Sequence, residues 1–150
     1  MSQSLAKVYI HIIFSTKNRI PYIKNDIKNE LGAYIAGILR NIKSDAIKIN
    51  GTEDHLHILC TLPRTISIAK LLEEVKKSSS KWIKTKGIKL SQFSWQDGYG
   101  IFSVCSSRLQ ETIEYISNQE GKHKILSFKD ELKKFLDSYD IDYNEKYLWD

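Results

Sequence analysis

The sequence predicts an α+β fold in one domain spanning residues 1–150, an antiparallel sheet with helices on one face in the split β-α-β manner. Three observations predict it. Residues 5–15 alternate like a strand, residues 45–62 read as two further strands joined at Gly51 and Thr52, and segments of helical spacing follow each of these strand regions. With 150 residues, 41% of them apolar and only two prolines, the chain has enough material for one compact core and no long linker.

In the first strand Val8, Ile10, Ile12 and Phe14 fall on one side and Tyr9, His11 and Ile13 on the other. Both sides are largely apolar, so the strand is expected at the centre of the sheet. Pro21 suits the first turn of a helix, and Ile27, Leu31, Tyr34, Ile35, Ile38 and Leu39 then recur at helical spacing. A strand at about 45–50 and the run "HLHILCTL" are read as a tight hairpin. After Pro63, Ile68, Leu71, Leu72, Val75, Trp82 and Ile83 mark the inner face of a second helix, with Lys70, Lys77, Lys81 and Lys84 on the outer one. "FSWQDGYGIFSVC" reads as two short strands around an Asp97-Gly98 turn. Ser107 and Gln110 offer a capping box for a helix ending before Gly121, and a last helix runs from about Phe128 to Tyr139 ahead of the aromatic tail "YNEKYLWD". No internal repeat or low-complexity segment is visible.

No cationic start precedes the first alternating segment and no apolar run approaches the ~20 residues of a membrane span, so a cytoplasmic protein is expected. Cys60 and Cys105 are too few for a disulfide framework. The net charge of +5 is locally concentrated: six lysines and no acid lie between Val75 and Gln92. Such a run is either a solvated helix face or a footprint for phosphates.

The chemistry-bearing stretch is "EDHLHIL", residues 53–59, where two of the four histidines stand one residue apart. Strand parity puts His55 and His57 on one face, so the pair can chelate a metal ion, and it sends Cys60 to the opposite face, which disfavours a zinc site using that thiol. One exposed and one hydrogen-bonded histidine is the plainer alternative. On the helix at 107–120, Leu109, Ile113 and Ile116 form the expected seam, while Tyr115 and Gln119 share a flank that faces either a cleft or solvent.

Taken together, "HIIFSTKNR", "EDHLHIL", "KSSSKWIK", "WQDGYGIFSV", "YISNQE" and the terminal "YLWD" resemble, in this order, the small single-tyrosine transposases of bacterial insertion sequences. These are the HUH (His, hydrophobic, His) proteins of the insertion-sequence 200/605 group, and the REP-associated tyrosine transposases are similar. The resemblance spans essentially the whole chain and implies a ferredoxin-like, RRM-like sheet of the HUH endonuclease type. It implies that Tyr115 is the nucleophile that cuts single-stranded DNA, leaving a 5′-phosphotyrosine link and a free 3′-hydroxyl. His55, His57 and Gln119 match the metal ligands. Two imidazoles and an amide suit Mg²⁺ or Mn²⁺, with Mn²⁺ the better partner for imidazole and Mg²⁺ the more available ion. Glu53 and Asp54 add negative potential and are not counted as ligands.

The resemblance further implies a homodimer acting on hairpin-bearing ends, with no membrane partner, and leaves open whether each site is completed within one subunit or across two. Lys17, Arg19, Lys76, Lys77, Lys81 and Lys84 are the candidate contacts to the DNA backbone. "QEGKHK" departs from the paired histidines found in many relatives, leaving His123 alone and read as a surface residue, and Cys105 stands where a small hydroxyl residue is common. His11 is read as a core or sheet-face histidine. The rival readings are a domesticated relative serving dispersed palindromes, a non-catalytic hairpin-binding module, and a zinc hydrolase disfavoured for want of a third strong ligand.

Overall fold

In the computed structural model, which describes residues 2–119 and 126–150, a four-stranded sheet forms from β1 (Tyr9–Ser15), β2 (Ala46–Gly51), β3 (His55–Thr61) and β4 (Gly100–Val104). The strand order is β2-β3-β1-β4 and every neighbouring pair is antiparallel. Flanked on both sides, β1 is buried from Ile10 to Ser15, as its two apolar faces predict.

One face of the sheet carries α1 (Asn25–Asn41) and α2 (Ile68–Lys84). Ile10, Ile12 and Phe14 of β1 and Leu56, Ile58 and Cys60 of β3 pack there against Leu31, Ile35, Leu39, Leu71, Leu72 and Val75. Each of these leucine, isoleucine, valine and phenylalanine side chains contributes roughly 1.5–3 kcal/mol by leaving water, so this layer fixes the sheet. The second face is covered as well, by α3 (Leu109–Ser117) and α4 (Phe128–Ser138). Phe128, Leu132 and Leu136 of α4 close over Ile13 and Phe102, while Asn50 of β2 donates to the Ile116 carbonyl of α3 at 2.9 Å. The sequence prediction of helices on one face thus describes half of the molecule; the two apolar sides of β1 required the other half.

Local differences from the sequence reading have identifiable causes. Pro21 precedes α1 rather than opening it: Ile20 is held extended (ψ 129°), as a following proline demands, and the Ile23 N–H bonds to the Glu53 carbonyl at 2.9 Å. The β2-β3 connection is the three residues 52–54, because Gly51 itself pairs with Leu56. A Cβ at Gly51 would lie 2.2 Å from the His55 carbonyl oxygen, so glycine is needed there for close approach. The proposed capping box does not form, since Ser107 lies inside a 3₁₀ turn (Ser106–Arg108) that precedes α3. Cys60 and Cys105 are both free.

The expected hairpin at Asp97-Gly98 is absent. Trp95 forms an isolated antiparallel bridge to Thr16, and β4 is antiparallel to the same strand, so the chain continues along β1 without reversing. What interrupts it is Lys76, whose Nζ donates to the carbonyls of Gln96, Asp97 and Gly98 at 2.8, 3.1 and 2.6 Å. Burial lowers the Lys76 pKa to about 8, against the opposing pull of Asp97. A short helix, α5 (Glu145–Leu148), lies in the aromatic tail, and Gly98 N–H bonds to the Asp150 carbonyl at 3.0 Å. Among the described residues no helix is long and apolar enough to cross a membrane.

Replacing Lys76 by Met strands three carbonyls and is expected to cost about 1–3 kcal/mol in denaturant unfolding. Lys77→Met, on the exposed side of the same helix, is expected to stay within about 0.5 kcal/mol of the parent.

Candidate active site

Parity along β3 turns His55 and His57 away from the main core, onto the face beneath α4. There they meet Glu131, from the first turn of α4 and only 2% exposed. Its Oε1 lies 2.9 Å from His57 Nε2 and 3.4 Å from His55 Nε2. One ligand atom from each of the three residues falls within 4.8 Å of the others, and among the described residues this is the group able to hold a metal ion.

The remote nitrogens of both rings are engaged. His55 Nδ1 lies 2.7 Å from Asp54 Oδ1 and 3.0 Å from the Thr52 hydroxyl. Burial opposes charge on His55, but the hydrogen bonds and charges of Asp54 and Glu131 outweigh it and raise its pKa. Asp54 reaches the ring because it sits in the loop before β3, where strand parity does not apply. His57 Nδ1 shares a 2.7 Å hydrogen bond with His11 Nε2. Burial and the neighbouring His57 lower the His11 pKa to about 3, with Glu131 pulling weakly the other way.

Tyr115, half-buried on α3, donates its hydroxyl to Glu131 Oε2. Burial first, and then the Glu131 carboxylate, push the phenol pKa well above its ordinary value, while a hydrogen bond from the Gln119 side chain opposes them. Gln119 is fully buried and also bonds the Tyr115 carbonyl at 3.2 Å. It lies beyond the end of α3, whose last residue is Ser117, so the expected single helix carrying Tyr115 and Gln119 is broken between them although the two side chains still meet. A cavity of about 770 Å³ between α3 and α4 opens onto this group, lined by His11, Cys105, Arg108, Tyr115, Phe135 and Tyr139 among others.

His55, His57, Tyr115 and Gln119 are therefore brought together, whereas the six basic candidates are dispersed. Lys76 is committed to the carbonyls of 96–98. Lys77, Lys81 and Lys84 are exposed on α2, across the sheet from the histidines. Lys17 lies 3.9 Å from Asp97, and Arg19 donates to the Trp149 carbonyl at 2.9 Å. His123 lies outside the described residues.

Sequence reasoning missed Glu131, read His11 as a core or sheet-face histidine, and gave Asp54 a share in the local potential but no place on the histidines' face. Nothing in "FKDELKKF" sets Glu131 apart from an ordinary helix acid, except that it adjoins Leu132 and stands four residues before Phe135. His11 had a signal: it shares its side of β1 with Ile13, and β1 was expected to be central. The absence of a third strong ligand, which had disfavoured zinc hydrolysis, does not hold once Glu131 is in place.

The sequence matches the family model described as "Transposase IS200 like" over residues 4–119. No curated protein matches it in sequence. Among solved structures it is similar to a candidate transposase from Deinococcus radiodurans R1, with a TM-score of 0.62 and 18% identity over 79% of this chain and 98% of that one. It is also similar to a REP-associated tyrosine transposase bound to a REP hairpin, with a TM-score of 0.60 and 17% identity over 84% of this chain and 76% of that one. At these identities the two structures speak for the fold.

The raised pKa of His55 yields a signed prediction for the metal-free protein. A histidine pKa raised on folding adds stability that is complete below the unfolded value of 6.5 and is lost as pH rises through the folded value. In Asp54→Asn the principal charge partner is gone, so NMR titration of the His55 ring is expected to give a lower pKa than in the parent. The variant is also expected to lose the extra stability at pH 5–6 relative to pH 8.

Proposed function

The chain belongs to the IS200-like transposase family, and from that premise we propose that it cuts and rejoins single-stranded DNA at hairpin-bearing ends by metal-assisted attack of Tyr115. The observation that carries the reading is the meeting of the Tyr115 hydroxyl, Glu131 and the two histidine Nε2 atoms at one buried point of a single chain. The solved REP-associated relative, bound to a REP hairpin, supports hairpin DNA as the substrate class.

His55, His57 and Glu131 are the proposed ligands, with Gln119 buried beside the phenol. Two buried imidazole nitrogens and a carboxylate oxygen fit a divalent cation and leave positions for phosphate oxygens and water, which suits Mg²⁺ or Mn²⁺. When bound, such a cation polarises the scissile phosphate and offsets charge on the leaving oxygen. The same donor set occurs at catalytic zinc, and it is Tyr115 against Glu131, together with the family, that favours strand transfer over hydrolysis.

Tyr115 is held in its neutral form by the raised pKa, so the hydroxyl needs a base as it attacks. Glu131 Oε2, already accepting from that hydroxyl, takes the proton. The Tyr115 oxygen bonds to phosphorus as the bond from phosphorus to the 3′-oxygen breaks, and the 3′-oxygen leaves as a hydroxyl with a proton drawn from water. The phosphotyrosine conserves the energy of the original linkage, so a 3′-hydroxyl from a second strand end reverses the step without external energy. Gln119, hydrogen-bonded to the phenol, orients it. The cavity between α3 and α4 gives the strand access to Tyr115.

Lys77, Lys81 and Lys84 lie on the far side of the sheet, so the phosphates they hold would belong to the hairpin stem rather than to the strand being cut, with Lys17 and Arg19 nearer the edge. Homodimerisation is part of the proposal as a means of handling two ends. The contacts of Tyr115 in its own chain favour a site complete within each subunit.

Incubated with labelled hairpin oligonucleotides and Mn²⁺, the protein is expected to form a heat-stable adduct on a denaturing gel that chelation and Tyr115→Phe both abolish. Persistence of the adduct in that variant would move the nucleophile elsewhere. Mixing Tyr115→Phe with His57→Ala is expected not to restore activity, because each chain supplies its own set. Glu131→Ala is expected to lower Mn²⁺ affinity and to slow adduct formation on the order of 10²–10⁴-fold, the usual range for a lost general base.

A further inference from the structure

We propose that His11 is a positioning residue that fixes the His57 imidazole with its Nε2 turned into the site, a proposal that rests on the reading of His55 and His57 as metal ligands. An imidazole ligand can present either nitrogen, and what the other nitrogen bonds decides which one faces the metal. For His55 that partner is the Asp54 carboxylate, at 2.7 Å from Nδ1, with the Thr52 hydroxyl at 3.0 Å. For His57 the corresponding place is filled by His11 Nε2, 2.7 Å from Nδ1.

The fold leaves His11 little alternative. It stands opposite Leu59 on one side and Phe102 on the other in the two antiparallel ladders of β1, on the face shared by His57, and is 3% exposed. Phe135 of α4 meets its ring edge-on, with centroids 5.2 Å apart and planes at 86°, so rotation is blocked from above. The His11 and His57 rings are 5.0 Å apart and tilted by 34°, with the hydrogen bond between them. His57 Nδ1 is thereby occupied, and only Nε2 points to Glu131 and His55.

The two histidines are thus held unequally. Asp54 places a negative charge behind His55, which strengthens that ring as a donor, whereas His11 orients His57 without adding a second charge. The His11 ring also meets the Tyr115 ring edge-on, with centroids 6.3 Å apart, while its hydrogen bond goes to His57.

The test begins with the unmodified, ¹⁵N-labelled full chain, in which a through-hydrogen-bond coupling between a ring nitrogen of His11 and Nδ1 of His57 is expected. Its absence would overturn the proposal whatever the variants do. Mn²⁺ titrations followed by electron paramagnetic resonance then compare His11→Leu, which cannot bond Nδ1, with His11→Gln, whose side-chain amide can. His11→Leu is expected to bind Mn²⁺ about 10–100-fold more weakly, and His11→Gln to recover most of that loss. A folded His11→Leu protein with unchanged Mn²⁺ affinity would sink the role of His11 alone. Failure of the parent protein to bind Mn²⁺ would instead remove the ligand reading on which the role depends.

Discussion

The burial of the Glu131 carboxylate is the constraint on which the rest of the site depends. A carboxylate at 2% exposure is stable only if donors replace the water it has lost, and Glu131 finds them on two elements: the histidine rings of β3 and the phenol of α3. Its two oxygens divide the work, Oε1 toward the rings and Oε2 toward Tyr115. Phe128, Leu132 and Leu136 hold α4 over the sheet, and the same placement carries Glu131 to its donors, whose bonds make up for the water it loses. One residue thereby couples the placement of a helix to the protonation of the Tyr115 phenol.

The sheet separates two kinds of requirement by parity alone. Even-numbered residues of β1 and β3 build the aliphatic layer beneath α1 and α2, and odd-numbered ones carry His11, His55 and His57 to the other side. The imidazoles therefore stay off the main core, whose buried Ser79 hydroxyl comes from α2 and accepts from Trp95 Nε1. Gly51 contributes by letting β2 approach the His55 carbonyl more closely than any side chain would permit.

Strands, helix spacing and the histidine pair were legible because each rests on a period, and periods survive in a sequence read alone. The pairing of His55 with His57 needs only the two-residue repeat of β3, and the meeting of Tyr115 with Gln119 needs only their short separation, which survives even though α3 ends at Ser117. Glu131 was not legible. It comes from α4, beyond the residues 4–119 that carry the family pattern, and its burial depends on how α4 lies on the sheet. The Asp97-Gly98 segment misled for a related reason: its composition is that of a turn, but three carbonyls bend toward Lys76, a residue remote in sequence, instead of reversing the chain. Periodicity reports which side of an element is buried, and it is silent on what that side is buried against.

The central position of β1 also shapes how the protein comes into being. The bond from His11 to His57 closes 46 residues of chain, that from Ser15 to Gln96 closes 81, and that from His57 to Glu131 closes 74. Contacts of such separation form slowly, because loop-closure entropy has to be overcome before they return any stabilisation. β1 waits for partners that are synthesised after it, and the carboxylate of Glu131 follows both β3 and Tyr115 in the chain. A nascent chain therefore carries its histidines and its tyrosine for some time without the carboxylate that gathers them, and the buried cluster of His55, His57, Tyr115 and Glu131 arrives only with the finished fold.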